Sequence, residues 1–325
     1  MTPPRRAARK PPSVPPPGDE PSIPLPSGTK AHPPIGLGLW ALGRWTRPDE
    51  ERTRAVLETA VAEGLRWFDT AEVYGNGRSE RLLGEALERS PTLAREGFIA
   101  TKVSWEHLRA HQVGAALTQS LERLGRTSVD LYLVHAPDPK TPLRETLAAL
   151  EELWKSGRVG AIGVSNFSLE ELSEAVDLLP EAKIAVNQIR FNLFDRGDAE
   201  PIRAFCREHR ILIEAYTPLA RGLLQGRFLD GRKAPPEVRR FAQRFFDGDR
   251  WPDYVARARK LKDLADRAGV PMTSLALHWL RSQGAAPVFG ASRPEQVAEN
   301  LAAWRVRPDA ALLTEADAIA RGERA

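Results

Sequence analysis

From residue 35 onward, short apolar and often β-branched runs recur along the chain, each followed by a longer stretch with helical spacing. The runs fall at 35–40 (IGLGLW), 66–70 (RWFDT), 98–103 (FIATKV) and 130–135 (DLYLVH), then at 161–166 (AIGVSN), 184–189 (IAVNQI), 211–217 (ILIEAYT) and 287–292 (PVFGAS). They are mostly continuous, as expected of parallel strands buried on both faces. Between them, apolar residues recur every three or four positions, as at Val113, Leu117, Leu121 and Leu124. This predicts helices from Asp49 or Glu50 to Gly64 and over 79–87, 113–124, 143–154, 169–179, 201–209, 254–268, 273–281, 294–304 and 314–321. Ser168 and Thr273 are expected as N-caps, and Gly64, Gly125 and Gly157 as C-caps.

Eight strands alternating with helices predict a single α/β domain, a closed (β/α)8 barrel over 35–325. An open doubly wound sheet is the rival, but Gly36, Gly38 and Gly43 lack the dinucleotide-binding glycine spacing after the first strand. Two segments break the rhythm. Residues 1–34 are rich in proline and poor in apolar side chains, and read as a disordered leader. Residues 219–253 form a long connection carrying Phe228, Phe241, Phe245, Phe246 and Trp251, expected as a lid with a helical part near 236–246.

Composition excludes several function classes. The formal charge of +4 sits largely in residues 1–33, which hold five of the 47 basic and two of the 43 acidic residues; the remainder is nearly neutral. No basic stretch with interleaved aromatics appears, so no nucleic-acid partner is expected. One cysteine, Cys206, permits no intramolecular disulfide and reads as packing. No apolar run is long enough for a membrane span and no apolar segment follows Arg5-Arg6, so the expectation is a cytoplasmic protein. His107 and His111 lack a third ligand, so no metal is expected. Ser165 and Ser292 lack a nucleophile elbow. Glu151-Glu152 and Glu170-Glu171 read as solvated helix faces.

In a barrel, chemistry gathers at the C-terminal strand ends. The polar residues there are Asp69, Lys102, His135, Ser165, Asn166, Gln188, Tyr216 and Ser292. Asp69 and Lys102 are 33 residues apart, as are Lys102 and His135, so one strand–helix unit separates each from the next. Tyr74 lies just past Asp69 in a turn marked by Gly75, Asn76 and Gly77. Together they form a proton-transfer device. The Lys102 cation is expected to lower the Tyr74 pKa toward working pH, with Asp69 holding the lysine and His135 orienting a carbonyl oxygen. Such groups supply a proton but no hydride, which a redox cofactor must bring.

At these residues the chain resembles the aldo/keto reductase superfamily. The run WFDTAEVYGNGRSERLLGEAL carries the likeness, followed in order by ATK, LYLVHAP, IGVSNF, VNQI, AYTPLARGLLQGRF and PVFGASRPEQVAEN, and the likeness covers about 35–322. It implies an NADPH-dependent reductase of the alcohol dehydrogenase (NADP+) type, with Asp69, Tyr74, Lys102 and His135 as a catalytic tetrad and an aldehyde or ketone as substrate. It implies cofactor contacts at Gly38, Trp40, Asp69, Ser165, Asn166, Gln188, Tyr216, Leu219, Arg221, Gly222, Ala291, Ser292, Arg293, Gln296 and Asn300. Ser165, Asn166 and Gln188 would hold the carboxamide and Tyr216 would stack on the nicotinamide. Gly290 and Gln296 stand where relatives often carry Lys and Arg, which leaves Arg293 as the main 2′-phosphate cation. Trp40, Tyr74, Trp105, His135 and Phe167 are candidates for the substrate pocket. The expected state is monomeric or a weak homo-oligomer. The alternative is a non-catalytic NADPH-binding regulatory or sensory subunit of the same fold; a non-redox barrel enzyme is a third reading.

Overall fold

A computed structural model of the chain describes residues 22–26, 28, 30–41, 50–196, 199–234, 236 and 243–323. Eight parallel strands close into a barrel in sequence order. They are β1 (Gly36–Gly38), β2 (Trp67–Asp69), β3 (Phe98–Val103), β4 (Leu131–Val134), β5 (Ile162–Ser165), β6 (Ile184–Arg190), β7 (Leu212–Tyr216) and β8 (Ala285–Gly290). The predicted (β/α)8 architecture is therefore present. β8 begins two residues earlier than the apolar run suggested, because the small Ala285 and Ala286 are part of it. Ala291 and Ser292 consequently lie in the loop that follows.

Each predicted helix has its counterpart, several longer than expected, such as Trp251–Ala268 and Ala310–Arg321. A capping box between Ser168 and Glu171 starts Leu169–Leu178, as the sequence suggests. Thr273 is not a cap: the helix Met272–Ser282 starts one residue earlier, behind Pro271, whose φ of −62° already suits a helix entry. Pro91–Glu96 was not foreseen; Ser90 caps it by accepting from Leu93 N. Asp49, where the first helix was expected to open, lies outside the described residues, as do Phe241 and residues 237–242 of the long connection. The described aromatics of that connection pack on each other, with Phe246 fully buried between Phe228, Phe245 and Trp251.

Strand side chains alternate between the two faces of the barrel wall. Outward-facing residues such as Phe68, Ile99, Tyr132, Val164 and Ile213 join the helices in one large core. Inward-facing residues form a separate apolar cluster that includes Trp67, Phe98, Ala100, Leu131, Leu133, Val186, Leu212, Ala286 and Val288. Burying a side chain such as Phe98 stabilises the fold by about 1.5–3 kcal/mol. Two residues further along the same strands, the interior turns polar: Asp69 follows Trp67, Lys102 follows Ala100, Gln188 follows Val186 and Glu214 follows Leu212. Register places Ser165 beside Gln188 and Gln188 beside Glu214, so these side chains share one layer.

The floor of the barrel is closed by part of the proline-rich segment. Ile23 and His32 form an antiparallel bridge, Ile23 and Leu25 pack against the interior cluster, and Lys30 Nζ donates to Gly97 O at 2.5 Å. His32 is buried, edge-on to Trp67 and Phe98. The described part of the segment, from Ser22, thus packs on the barrel, its apolar side chains and His32 finding partners there. Residues 1–21 lie outside the described residues.

Gly36 on β1 is where the interior is tightest, since a Cβ there would overlap the indole ring of Trp67. Overpacking of this kind costs about 1–3 kcal/mol. Gly36→Ala is expected to lower the thermal midpoint by several degrees; an unchanged midpoint would show that the ring has room to move.

Candidate active site

Local sequence fixes the first part of the site. After β2 the chain turns through Gly75, Asn76 and Gly77, all with positive φ (63°, 54° and 79°). Glycine and asparagine tolerate this left-handed region best. The turn is pinned by Tyr74 N donating to Ala71 O and Ser79 N donating to Tyr74 O. Thr70 and Ser79 hydroxyls bond at 2.6 Å beneath it. Tyr74 is thereby held over the end of β3, where Lys102 stands.

Lys102 has no exposed side-chain surface. Its ammonium donates to Asp69 Oδ1 at 2.6 Å and Thr70 O at 2.8 Å, and lies 3.4 Å from Tyr74 Oη. Burial opposes the ammonium, but Asp69, Tyr74 and Glu214 together hold it above the ordinary lysine range. Burial likewise pushes the Asp69 carboxyl up against the pull of Lys102, with Glu214 adding to the rise. The short contact and the carbonyl of Thr70 favour the charged pair.

Tyr74 departs from the sequence expectation. Burial pushes its hydroxyl up to about 12, and the opposing pull of Lys102 does not cancel this. The phenol is therefore protonated at neutral pH rather than poised near it. His135 follows β4, its N–H bonded to Val103 O, and its ring meets Tyr74 edge-on at 5.6 Å and Trp105 at 5.7 Å. Burial, helped by Lys102, lowers His135 to about 3, so the imidazole is neutral. Its Nδ1 is buried with no hydrogen-bond partner among the described residues. The four tetrad residues are thus brought together at the mouth of the barrel.

A second group stands beside them. Ser165 Oγ donates to Gln188 O at 2.9 Å. Asn166, at φ 60°, donates from Nδ2 to His135 O and Ser165 Oγ, and its Oδ1 accepts from Tyr216 Oη at 2.8 Å. Gln188 Nε2 donates to Asp69 Oδ1 and Glu214 Oε2. The strand ends therefore join tetrad and neighbours in one hydrogen-bonded layer.

Further out, Leu219 leads into the tight turn Ala220–Gln225, in which Arg221 and Gly222 take positive φ. Arg221 lies 5.6 Å from the ring of Trp40, itself 38% exposed, across the mouth from β7 to β1. Gly38 ends β1, where an added Cβ would approach Val288 and Asp69. Ala291 is buried. Gln296 Oε1 accepts from Ser292 N and Oγ, fixing the loop ahead of the helix Pro294–Trp304. Asn300 Oδ1 accepts from Gln225 Nε2, while Asn300 Nδ2 is buried without a partner among the described residues. Of the substrate-pocket candidates, Trp105 is 45% exposed at the mouth, whereas Phe167 is 2% exposed within the core.

Sequence reasoning missed Arg227, Gln225 and Glu214. Burial and the like charge of Arg293 lower the Arg227 guanidinium. Two arginines that repel each other beside a helix N-terminus make a fitting place for a phosphate. That site, the unpartnered Asn300 Nδ2 and the polar group formed by Ser165, Asn166 and Gln188 together fit a phosphorylated dinucleotide. Among the described residues no group of three or more His, Cys, Asp or Glu side chains forms a metal site, and no helix is long and apolar enough to cross a membrane.

Comparison with known proteins agrees with this geometry. Residues 34–321 match the model of the aldo/keto reductase family. The aldo-keto reductase YhdN of Bacillus subtilis is 32% identical over 276 residues, 81% of this chain and 82% of that one. An NADH-specific methylglyoxal reductase of Escherichia coli is 28% identical, covering 90% and 94%. Among solved structures, an aldo-keto reductase from Klebsiella pneumoniae in complex with NADPH superimposes with a TM-score of 0.73 at 27% identity, covering 91% and 93%. The chain belongs to the aldo/keto reductase family of oxidoreductases.

Removing Lys102 leaves Asp69 buried without its counter-charge, which costs about 3–5 kcal/mol. The folded Asp69 would then sit further above its unfolded pKa, so stability is retained at low pH and lost as pH rises. Lys102→Met is expected to unfold at lower denaturant than the parent, with the gap wider at pH 8 than at pH 5. An equal gap at both would show that Asp69 is not charged beside Lys102.

Proposed function

We propose that the protein reduces the carbonyl of an aldehyde or ketone with NADPH, and that Tyr74 donates the proton. The observation that carries this reading is a half-buried phenol whose hydroxyl is pushed up to about 12, 3.4 Å from a fully buried ammonium and beside a neutral imidazole. Arg227, Arg293 and the N-terminus of Pro294–Trp304 support a 2′-phosphate. Ser165, Asn166 and Gln188 support the carboxamide, and the half-buried Tyr216 at the end of β7 supports the ring. When bound there, NADPH supplies two electrons and a hydrogen as hydride to the carbonyl carbon.

The chain's own residues do the rest. His135 donates a ring N–H to the carbonyl oxygen and fixes its direction toward Tyr74. As the oxygen gains charge, the Tyr74 O–H bond breaks and its proton moves to that oxygen, giving the alcohol. The phenolate left behind faces Lys102, whose charge is anchored by Asp69 and Thr70 O. Trp40 and Trp105 border the entrance and suit an apolar substituent. Run backward, the same groups oxidise an alcohol with NADP+. The single cysteine is buried, and a cytoplasmic setting fits it.

The decisive experiment is NADPH oxidation with a panel of activated aldehydes and diketones, run beside NADH and beside Tyr74→Phe. The parent is expected to turn over with NADPH, and Tyr74→Phe to lose nearly all turnover while binding NADPH as before. Substantial turnover in that variant would remove Tyr74 as donor. Tight binding without turnover by the parent would point instead to the regulatory-subunit reading.

The two directions should differ in pH dependence. The reduction rate is expected to stay level between about pH 6 and pH 9, because the donor remains protonated. Oxidation needs the deprotonated hydroxyl, which becomes about tenfold rarer for each unit below 12, so its rate should climb with pH. A reduction rate halving near neutrality would contradict a donor held near 12.

A further inference from the structure

The interior of the barrel holds a second carboxyl that the tetrad does not include. Glu214, on β7, has no exposed side-chain surface. Its Oε1 lies 2.8 Å from His32 Nε2, and its Oε2 accepts from Gln188 Nε2 at 2.6 Å. His32 belongs to the floor segment, 182 positions away in sequence, and is equally buried.

Proton counting restricts this arrangement. His32 Nδ1 lies 2.6 Å from Pro33 O, a carbonyl that only accepts, so Nδ1 carries a hydrogen. The contact between Nε2 and the carboxyl oxygen then requires one more proton, shared by His32 and Glu214. In either placement of that proton, Oε2 remains an acceptor for Gln188. Gln188 Nε2 has two hydrogens, and both are used: one goes to Glu214 Oε2 and the other to Asp69 Oδ1 at 2.9 Å. A flipped amide would set its oxygen against two carboxyl oxygens. The amide orientation is therefore decided by its partners.

We propose that Glu214, with His32 as its proton partner, is a positioning residue that locks the Gln188 amide so that its oxygen faces the nicotinamide carboxamide. The inference rests on the NADPH-dependent reduction proposed above. Gln188 alone would hold its side chain by one bond to Asp69, about which the amide can swing. The second bond, from the floor of the barrel, removes that freedom. Glu214 touches neither substrate nor cofactor in this scheme; it acts through Gln188. The floor segment thereby becomes part of the active-site scaffold, and not only a plug over the apolar interior.

The test uses E214L, E214Q and Q188A in the full-length protein, each with steady-state kinetics and with the fluorescence of bound NADPH, which reports how firmly the ring is held. E214L is expected to lower kcat by ten- to a hundred-fold, on the order of what a small misplacement costs. The KM for NADPH should change little, because the phosphate contacts lie elsewhere. Bound NADPH should lose the emission change that marks an immobilised ring. In E214Q the new amide donates to His32 Nε2 and accepts from Gln188, so every hydrogen bond is kept and most of the lost rate should return. Adding E214L to Q188A should cost nothing further, since the group being positioned is gone.

An equal loss from E214L in both backgrounds would overturn the proposal, as would E214Q being as impaired as E214L, or a loss confined to KM. If the parent binds NADPH but does not turn over, the reductase reading fails while the fluorescence comparison still decides the role of Glu214. If the parent binds no NADPH, both fall.

Discussion

An ammonium group with no contact with water can persist in a protein only if its surroundings replace the water's oxygens and its charge is balanced nearby. Lys102 meets that condition through Asp69, Thr70 O and the hydroxyl of Tyr74. The requirement then passes on. Asp69 is itself buried and needs a donor besides the lysine, which Gln188 provides. Gln188 has a second hydrogen to place, and Glu214 accepts it. Glu214 in turn needs a proton on its other oxygen, and His32 shares one. A continuous set of hydrogen bonds thus runs from the barrel mouth to the barrel floor, and each member explains why the next is there.

The two layers of the interior divide the work. Below, Trp67, Phe98, Leu131 and their neighbours fill the space and exclude water. Above, the polar layer stands on that dry base, where a low local dielectric strengthens each of its contacts and makes any unpaired member costly. Strand alternation links the layers: the residue that packs the floor is followed two positions later by one that serves the site. Changing the size of a floor residue therefore shifts the platform on which Asp69, Lys102 and Glu214 are mounted.

Much of this was legible in the sequence, for identifiable reasons. Parallel strands buried on both faces leave continuous apolar runs, so the barrel could be read directly. Asp69, Lys102 and His135 end successive strands, so a regular spacing brought them together without knowledge of contacts. Glu214 lies two places inside its strand and not at the end where barrel chemistry is expected; a charged residue within ILIEAYT was the available signal. His32 gave none, since its partner is remote in sequence and its segment is dominated by proline. Thr273 looked like a cap because its residue type favours one, but the proline ahead of the helix set the boundary. The Tyr74 pKa lies above the sequence expectation because sequence shows the neighbouring cation but not the burial, and burial is the larger influence.

In the reduction proposed for this site, that larger influence is compatible with proton donation from Tyr74. A phenol near 12 is a weak acid beside a neutral ketone, but the acceptor is no longer neutral once hydride has reached the carbon. An alkoxide is a far stronger base than a phenolate, so the proton moves downhill even from Tyr74. The cost lies in the phenolate that remains, a charge that burial disfavours. Lys102 offsets that cost, and its attraction grows only as the O–H bond breaks. An interaction that strengthens along the reaction lowers the barrier, whereas one already complete in the resting enzyme would stabilise both ends alike. A cation strong enough to ionise the phenol beforehand would remove the proton needed for reduction. In the proposed reduction, the balance of desolvation against one anchored ammonium keeps the donor protonated at rest and stabilised only after it has given its proton.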